Sequence, residues 1–208
     1  APGRLVGLAH HQDDVADLCD TCPNLPNGED AVEIEGLSST LTEFGRITIL
    51  GTEKQLIQAQ TWTASQGGRL LSVALRLKAG TTPGDVYWAV ARLDAMGAPD
   101  VDASLAGGVI AQASLPTLAP EWSIVPLAQG PIFAPGDRFA IAMWVPDDQA
   151  INGFWDRSST DVYAGGQRWS LFTGASWVAA ADDLYSSVLL DLQVDRDLDG
   201  LGDLCDAC

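Results

Sequence analysis

From about Ile47 to Val194 the chain runs in short stretches of five to eleven residues, separated by Gly, Pro and Asp. This constrains the fold more than any other feature. No stretch carries a helical apolar stripe, whereas alternating runs bury one face only when they lie in a sheet. In "RLLSVALRLKA", Leu71, Val73, Leu75 and Leu77 fall on one face, and Ser72, Ala74, Arg76 and Lys78 on the other. The other candidate strands are "RITIL", "IQAQTWTA", "DVYWAVARL", "GVIAQASL", "WSIVPL", "RFAIAMWV", "GFWDRSS", "QRWSLF" and "SVLLDLQV". Turn signals such as "TTPGD", "APGD" and "VPDDQ" separate them. About ten short strands without a helical pattern predict an all-β, antiparallel, jelly-roll-like β-sandwich. "DAVEIEGLSSTLTEFG" (30–45) reads either as a short helix or as an edge strand.

Length and charge narrow the function classes. A chain of 208 residues with 47% apolar residues can bury one sizeable core. The net charge is −17, with 22 Asp against 6 Glu and only two lysines, Lys54 and Lys78. An Asp surplus suggests short carboxylates used as ligands, or an acidic surface suited to salt. Nucleic acid and anionic membranes are not expected partners, because both need basic patches. No apolar run approaches the roughly 18–20 residues of a membrane span, and the Ala1 end lacks the pattern of a signal peptide.

The aspartates concentrate at the C-terminal end, in "DRDLDGLGDLCDAC". Numbered from Asp195, carboxylates stand at positions 1, 3, 5, 9 and 12: Asp195, Asp197, Asp199, Asp203 and Asp206. Gly200 is position 6, and Leu201, position 7, offers a backbone carbonyl. This is the ligand spacing of an EF-hand loop, with Asp replacing Glu at the last position. A divalent cation relieves the repulsion among these carboxylates, and an oxygen-only donor set favours Ca2+. Cysteines occur as two pairs, Cys19 with Cys22 and Cys205 with Cys208, each among aspartates. That setting suits neither an all-cysteine zinc site nor a low-pKa thiol. Disulfides, and hence a secreted, extracellular chain, are expected.

The strand-like flank and the built-in cysteines depart from an EF-hand. The closing motif instead resembles the thrombospondin type 3 repeat, D-x-D-x-D-G-x-G-D-x-C-D-x-C, from Asp195 to Cys208. A degenerate copy, "AHHQDDVADLCDTCPNLPN", opens the chain. It keeps Asp13, Asp17 and Asp20, with Ala9, His11 and Asp14 replacing two ligands and the glycine. The resemblance implies a cysteine-linked wire wound around calcium ions, in which Asn24 and Asn27 help ligate shared ions. It also implies that Cys22 pairs with Cys205. Cys19 and Cys208 would then face neighbouring repeats or each other; four cysteines allow three connectivities. The expected organisation is a first repeat over 1–30, a sandwich over 31–194 and a second calcium loop over 195–208. The sandwich is thus an insertion between two repeats, which requires that its ends lie side by side.

"AQTWTASQGGRLLSVALRL", "EWSIVPLAQGPIFAPGDRFAIAMWV" and "GFWDRSSTDVYAGGQRW" are similar to a bacterial extracellular β-sandwich module found beside surface-anchoring signals. The resemblance covers most of 58–177 and implies a surface role without defined chemistry. Trp62, Trp88 and Trp144 lie in apolar strands and are expected in the core, with Trp122 in core or rim. Trp155, Asp156, Tyr163, Gln167, Trp169 and Trp177 join aromatics to polar side chains across Gly-rich turns, the composition of a glycan platform. The alternative is that they pack under loops. No catalytic residue is assigned. His10 and His11 lie outside the sandwich, and Asp182 and Asp183 sit in turn-like sequence with nothing evident to shift a pKa. The expected function is therefore a non-catalytic, calcium-binding module of a larger bacterial secreted or surface protein. Its partner would be a glycan or a surface protein. The alternatives are a calcium-stabilised spacer and, further off, a carbohydrate-active hydrolase.

Overall fold

Strand β4 (Gly68–Ala79) organises the fold, because both of its edges are in use. The computed structural model describes residues 29–34, 39–49, 52–65, 67–82, 84–146 and 151–191. One edge of β4 carries β7 (Glu121–Pro126) and the short β8 (Ile132–Phe133). The other carries β13 (Ser186–Asp191) and, beyond it, β10 (Asn152–Arg157). From β10 the sheet continues through β2 (Thr40–Ile49), β3 (Thr52–Thr63), β9 (Arg138–Trp144) and β5 (Val86–Leu93) to β6 (Pro99–Ile110). A branch of β11 (Arg168–Phe172) and β12 (Val178–Ala180) leaves β3, and β1 (Glu29–Ile34) lies outside β13. Every strand pairing is antiparallel.

This continuous sheet curls until its halves share one core, so the fold is all-β and sandwich-like. Leu70, Val73, Leu75 and Leu77 of β4 and Val188 and Leu190 of β13 meet Trp62, Trp88, Val90, Phe139, Ile141 and Met143. At roughly 1.5–3 kcal/mol for each large apolar side chain removed from water, this cluster supplies the main force that curls the sheet.

The local pattern departs from expectation at several points. Leu190 pairs with Leu70 but Leu189 with Ser72, so Leu71 has no partner across the ladder. This bulge shifts the alternation by one residue: Leu70 is buried and Leu71 only half-buried. "GVIAQASL" is not one strand. Its strand ends at Ile110, and a 3-10 turn follows over Gln112–Ser114. The Asp85 carboxylate accepts a hydrogen bond from Gln112 N (2.8 Å), which removes that donor from the ladder. The ambiguous segment 30–45 is strand at both ends, in β1 and the start of β2. In β1, Glu29 stands opposite Asp191 of β13. The described residues nearest the two acidic motifs in sequence, Glu29 and Asp191, therefore lie side by side.

Candidate functional site

The three central segments singled out in the sequence converge on one stretch, Gln60 to Ala64, which runs to the end of β3 and one residue past it. Ala64 N donates to Asp137 O (2.9 Å), and Gly136 N donates back to Ala64 O (2.8 Å). This fastens "FAPGDRFAI" to the end of β3 and stacks Phe133 on Phe139, with ring centroids 4.3 Å apart. From the other side comes "YAGG". The Tyr163 ring lies 4.8 Å from that of Trp62, and its hydroxyl donates to Thr63 O (3.1 Å) and accepts from Thr63 N (3.2 Å). Thr63 Oγ1 donates to Gly165 O (2.6 Å), and Gln167 N donates to Thr61 Oγ1 (2.9 Å). Gly166 passes so close to β3 that a Cβ there would stand 1.7 Å from Thr61 O. No side chain fits at that position.

Below Trp62, on the same side of β3, stand Gln60 and Gln58, both buried. They begin a polar layer that continues the aromatic core. Gln60 Nε2 donates to Asp183 Oδ1 (2.8 Å), and Gln60 Oε1 accepts from Leu184 N (2.8 Å). Asp183 Oδ2 accepts from the backbone of Val162 (2.7 Å) and Tyr163 (2.9 Å). Burial pushes the Asp183 carboxyl above its ordinary value; hydrogen bonds from Val162, Gln60 and Tyr163 oppose this, and the charge of Asp161 adds to it. Burial likewise raises the Tyr163 phenol, against its hydrogen bond with Thr63 and with help from Asp183. Beside this pair, Asp182 accepts from Arg168 Nε (2.6 Å) and from Arg157. Arg168 and Ser170 also reach Gln58 Oε1, at 3.3 and 2.8 Å. Asp156 accepts from Ser39 Oγ (2.7 and 2.8 Å) and from Arg157 N (3.0 Å), with Arg76 Nε at 3.4 Å.

These contacts redistribute the predicted ligand face. Trp155 and Asp156 are fully buried and are not part of a platform. Trp155 lies in the core with its Nε1 donating to Tyr185 O (2.8 Å), and Asp156 belongs to the polar layer. Tyr163, Gln167, Trp169 and Trp177 are partly exposed. Tyr163 is committed to Trp62 and Thr63, and the Gln167 backbone is committed to Thr61, since Thr61 N donates to its carbonyl (3.0 Å). Trp62 and Trp88 are buried as expected, Trp144 is half-buried against Tyr87, and Trp122 is at the surface. Asp182 and Asp183, expected to be unperturbed turn residues, are instead nearly or fully buried, and Asp183 is shifted. The predicted calcium ligands Asp13, Asp17, Asp20, Asn24, Asn27, Asp195, Asp197, Asp199, Leu201, Asp203 and Asp206 lie outside the described residues, as do all four cysteines.

Chemically, the polar layer holds the 158–167 loop against β3. Asp183 offers no reactive group to a solute, because its side chain is sealed from solvent. Gln58, Gln60, Arg157 and Arg168 escaped the sequence reading. Their signal is faint: two glutamines at core parity in "IQAQTWTA", with partners 110 to 124 positions away. No protein-family model matches the chain, and no curated protein matches it significantly.

Proposed function

We propose that the chain is a non-catalytic module of a larger secreted or cell-surface protein, clasped by calcium at its base and presenting a surface to a partner. One observation carries the clasp: Glu29 pairs with Asp191, so the segments bearing the two acidic motifs start from adjacent strands. An ion or a Cys22–Cys205 bond joining them then closes a short gap rather than spanning the sandwich. The donor set fits calcium. Asp195, Asp197, Asp199, Asp203 and Asp206 supply carboxylates and Leu201 a carbonyl, all hard oxygen donors. Asp13, Asp17, Asp20, Asn24 and Asn27 of the opening copy would complete shared sites. Bound calcium supplies charge neutralisation. The pairing of β1 with β13 supports this by setting residues 29 and 191 opposite each other.

A spacer whose only ligand is calcium is the second reading, and the burial of Trp155 and Asp156 favours it over a glycan platform. Glycan-array binding that disappears in Trp169→Ala or Trp177→Ala would restore the platform. The clasp itself is tested by calorimetric melting in calcium and in EDTA. Ligand at about a hundred times its Kd adds roughly 2.7 kcal/mol to a fold that alone binds it. Asp197→Ala and Asp199→Ala should reproduce the EDTA melting temperature; identical melting of the wild type with and without calcium would sink the clasp.

A further inference from the structure

We propose that the free edge of β7 is a docking site for an extended, apolar and basic segment of another protein, which adds as a strand. This rests on the reading of the chain as a partner-binding module. A groove of about 620 Å3 runs beside β7, lined by Glu121–Pro126 on one wall and by Val109–Ala111 and Ala113–Pro116 on the other. All six β7 residues line it, as expected of a groove along a strand edge rather than over one face.

The hydrogen-bond parity of β4 sets which groups face the groove. Arg76 N donates to Tyr185 O (3.1 Å) toward β13, whereas Ala79 N donates to Pro116 O (2.7 Å) on the opposite edge. Odd-numbered β4 residues thus spend their backbone groups toward β7, where they pair with Glu121, Ser123 and Val125. Trp122 and Ile124 direct their N–H and C=O groups away from β4, into the groove, and these have no partner among the described residues. Pro126 has no N–H to donate and so limits an added strand to a short register. The far wall is the end of β6 with the 3-10 turn that follows it, and among the described strands β6 pairs with β5 alone.

The side chains match an alternating partner. Ile124 is 69% exposed, Val109 across the groove 50% and Trp122 36%, an apolar set that monomers seldom leave in open water together. Unpaired backbone groups beside apolar side-chain positions are the requirements of strand addition. Charge decides between a second copy and another protein. Glu121 is the one charged residue among the described lining residues, and each copy of the chain has 28 carboxylates against 11 Lys and Arg, a formal −17 before any cation binds. Two copies repel; a basic segment is attracted.

The test uses the full chain in calcium and a fluorescein-labelled synthetic peptide of about eight residues, a common strand length, alternating Val and Thr with Lys at both ends. Fluorescence anisotropy should give saturable binding. N-methylation of alternate peptide residues, which blocks strand pairing, should weaken it about tenfold, as should Ile124→Pro, which removes an N–H that faces only the groove. If Ile124→Pro does not fold, Val109→Ser serves and should weaken binding several-fold. Equal binding of the N-methylated peptide, unchanged affinity in a folded variant, or no saturation up to about 1 mM overturns the proposal. So does a dimer in sedimentation that Val109→Ser abolishes, since the occupant is then a second copy. Calcium-dependent melting is read separately, so loss of the clasp and loss of the strand site are distinguishable.

Discussion

Trp155→Ala separates a core residue from a ligand platform. Trp155 is fully buried between Thr42 of β2 and Leu77 of β4, and its Nε1 donates to Tyr185 O at 2.8 Å. Truncating a buried tryptophan costs about 3–5 kcal/mol, because the cavity refills only in part. The Tyr185 carbonyl also loses the indole donor, while it keeps Arg76 N at 3.1 Å. Taking about 4 kcal/mol and a urea slope near 2 kcal/mol/M, the midpoint should fall by roughly 2 M. In a thermal scan the same loss is about 8–16 °C for a domain of this size. Trp155→Phe keeps most of the apolar volume and gives up the N–H, so it should cost only about 1–1.5 kcal/mol. Urea denaturation of the three proteins, followed by circular dichroism, provides the comparison. A platform residue would show the opposite pattern: an unchanged midpoint and lost binding. A Trp155→Ala midpoint within about 0.3 M of wild type would refute the placement of this side chain and with it the corrected view of the aromatic cluster.

Two further outcomes follow from the loop that sits on β3. Gly166→Ala should destabilise by about 3 kcal/mol, the upper end for overpacking, and should expose the 158–167 loop to limited proteolysis; normal protease resistance would contradict the close approach to Thr61. For Asp183, burial raises the folded-state pKa above the unfolded one. Its favourable contribution is therefore fully present below the ordinary carboxylate range near pH 4 and is lost as pH rises through the raised value. The stability of wild type relative to Asp183→Asn should decline from pH 4 to pH 7 in urea titrations, and a rising difference would reverse the assignment.

The all-β class was legible because it is a local property. Period-two runs between Gly and Pro turns survive in the sequence whatever the strands later pair with. β3, β4, β5 and β9 are all announced that way. The bulge at Leu71 is not, since it exists only in the register between β4 and β13, whose residues lie more than a hundred positions apart. β6 and β1 were obscured for a related reason: acidic and glycine-rich edge strands carry little apolar alternation. "AQTWTA", "FAPGDRFAI" and "YAGG" were visible as separate motifs, but nothing in any one of them states that they clasp one another.

The sequence by itself determined the antiparallel class of the middle, because period-two alternation is written in a few consecutive residues. Tertiary structure alone decided which aromatics are wet. Trp155 and Trp169 stand in similar local sequence, yet one is sealed in the core and the other is partly open. It also decided that Asp183 is a buried anchor and that, among the described strands, β7 pairs with β4 alone. Burial and pairing depend on what the rest of the chain brings alongside a residue, and that information is spread over distant segments.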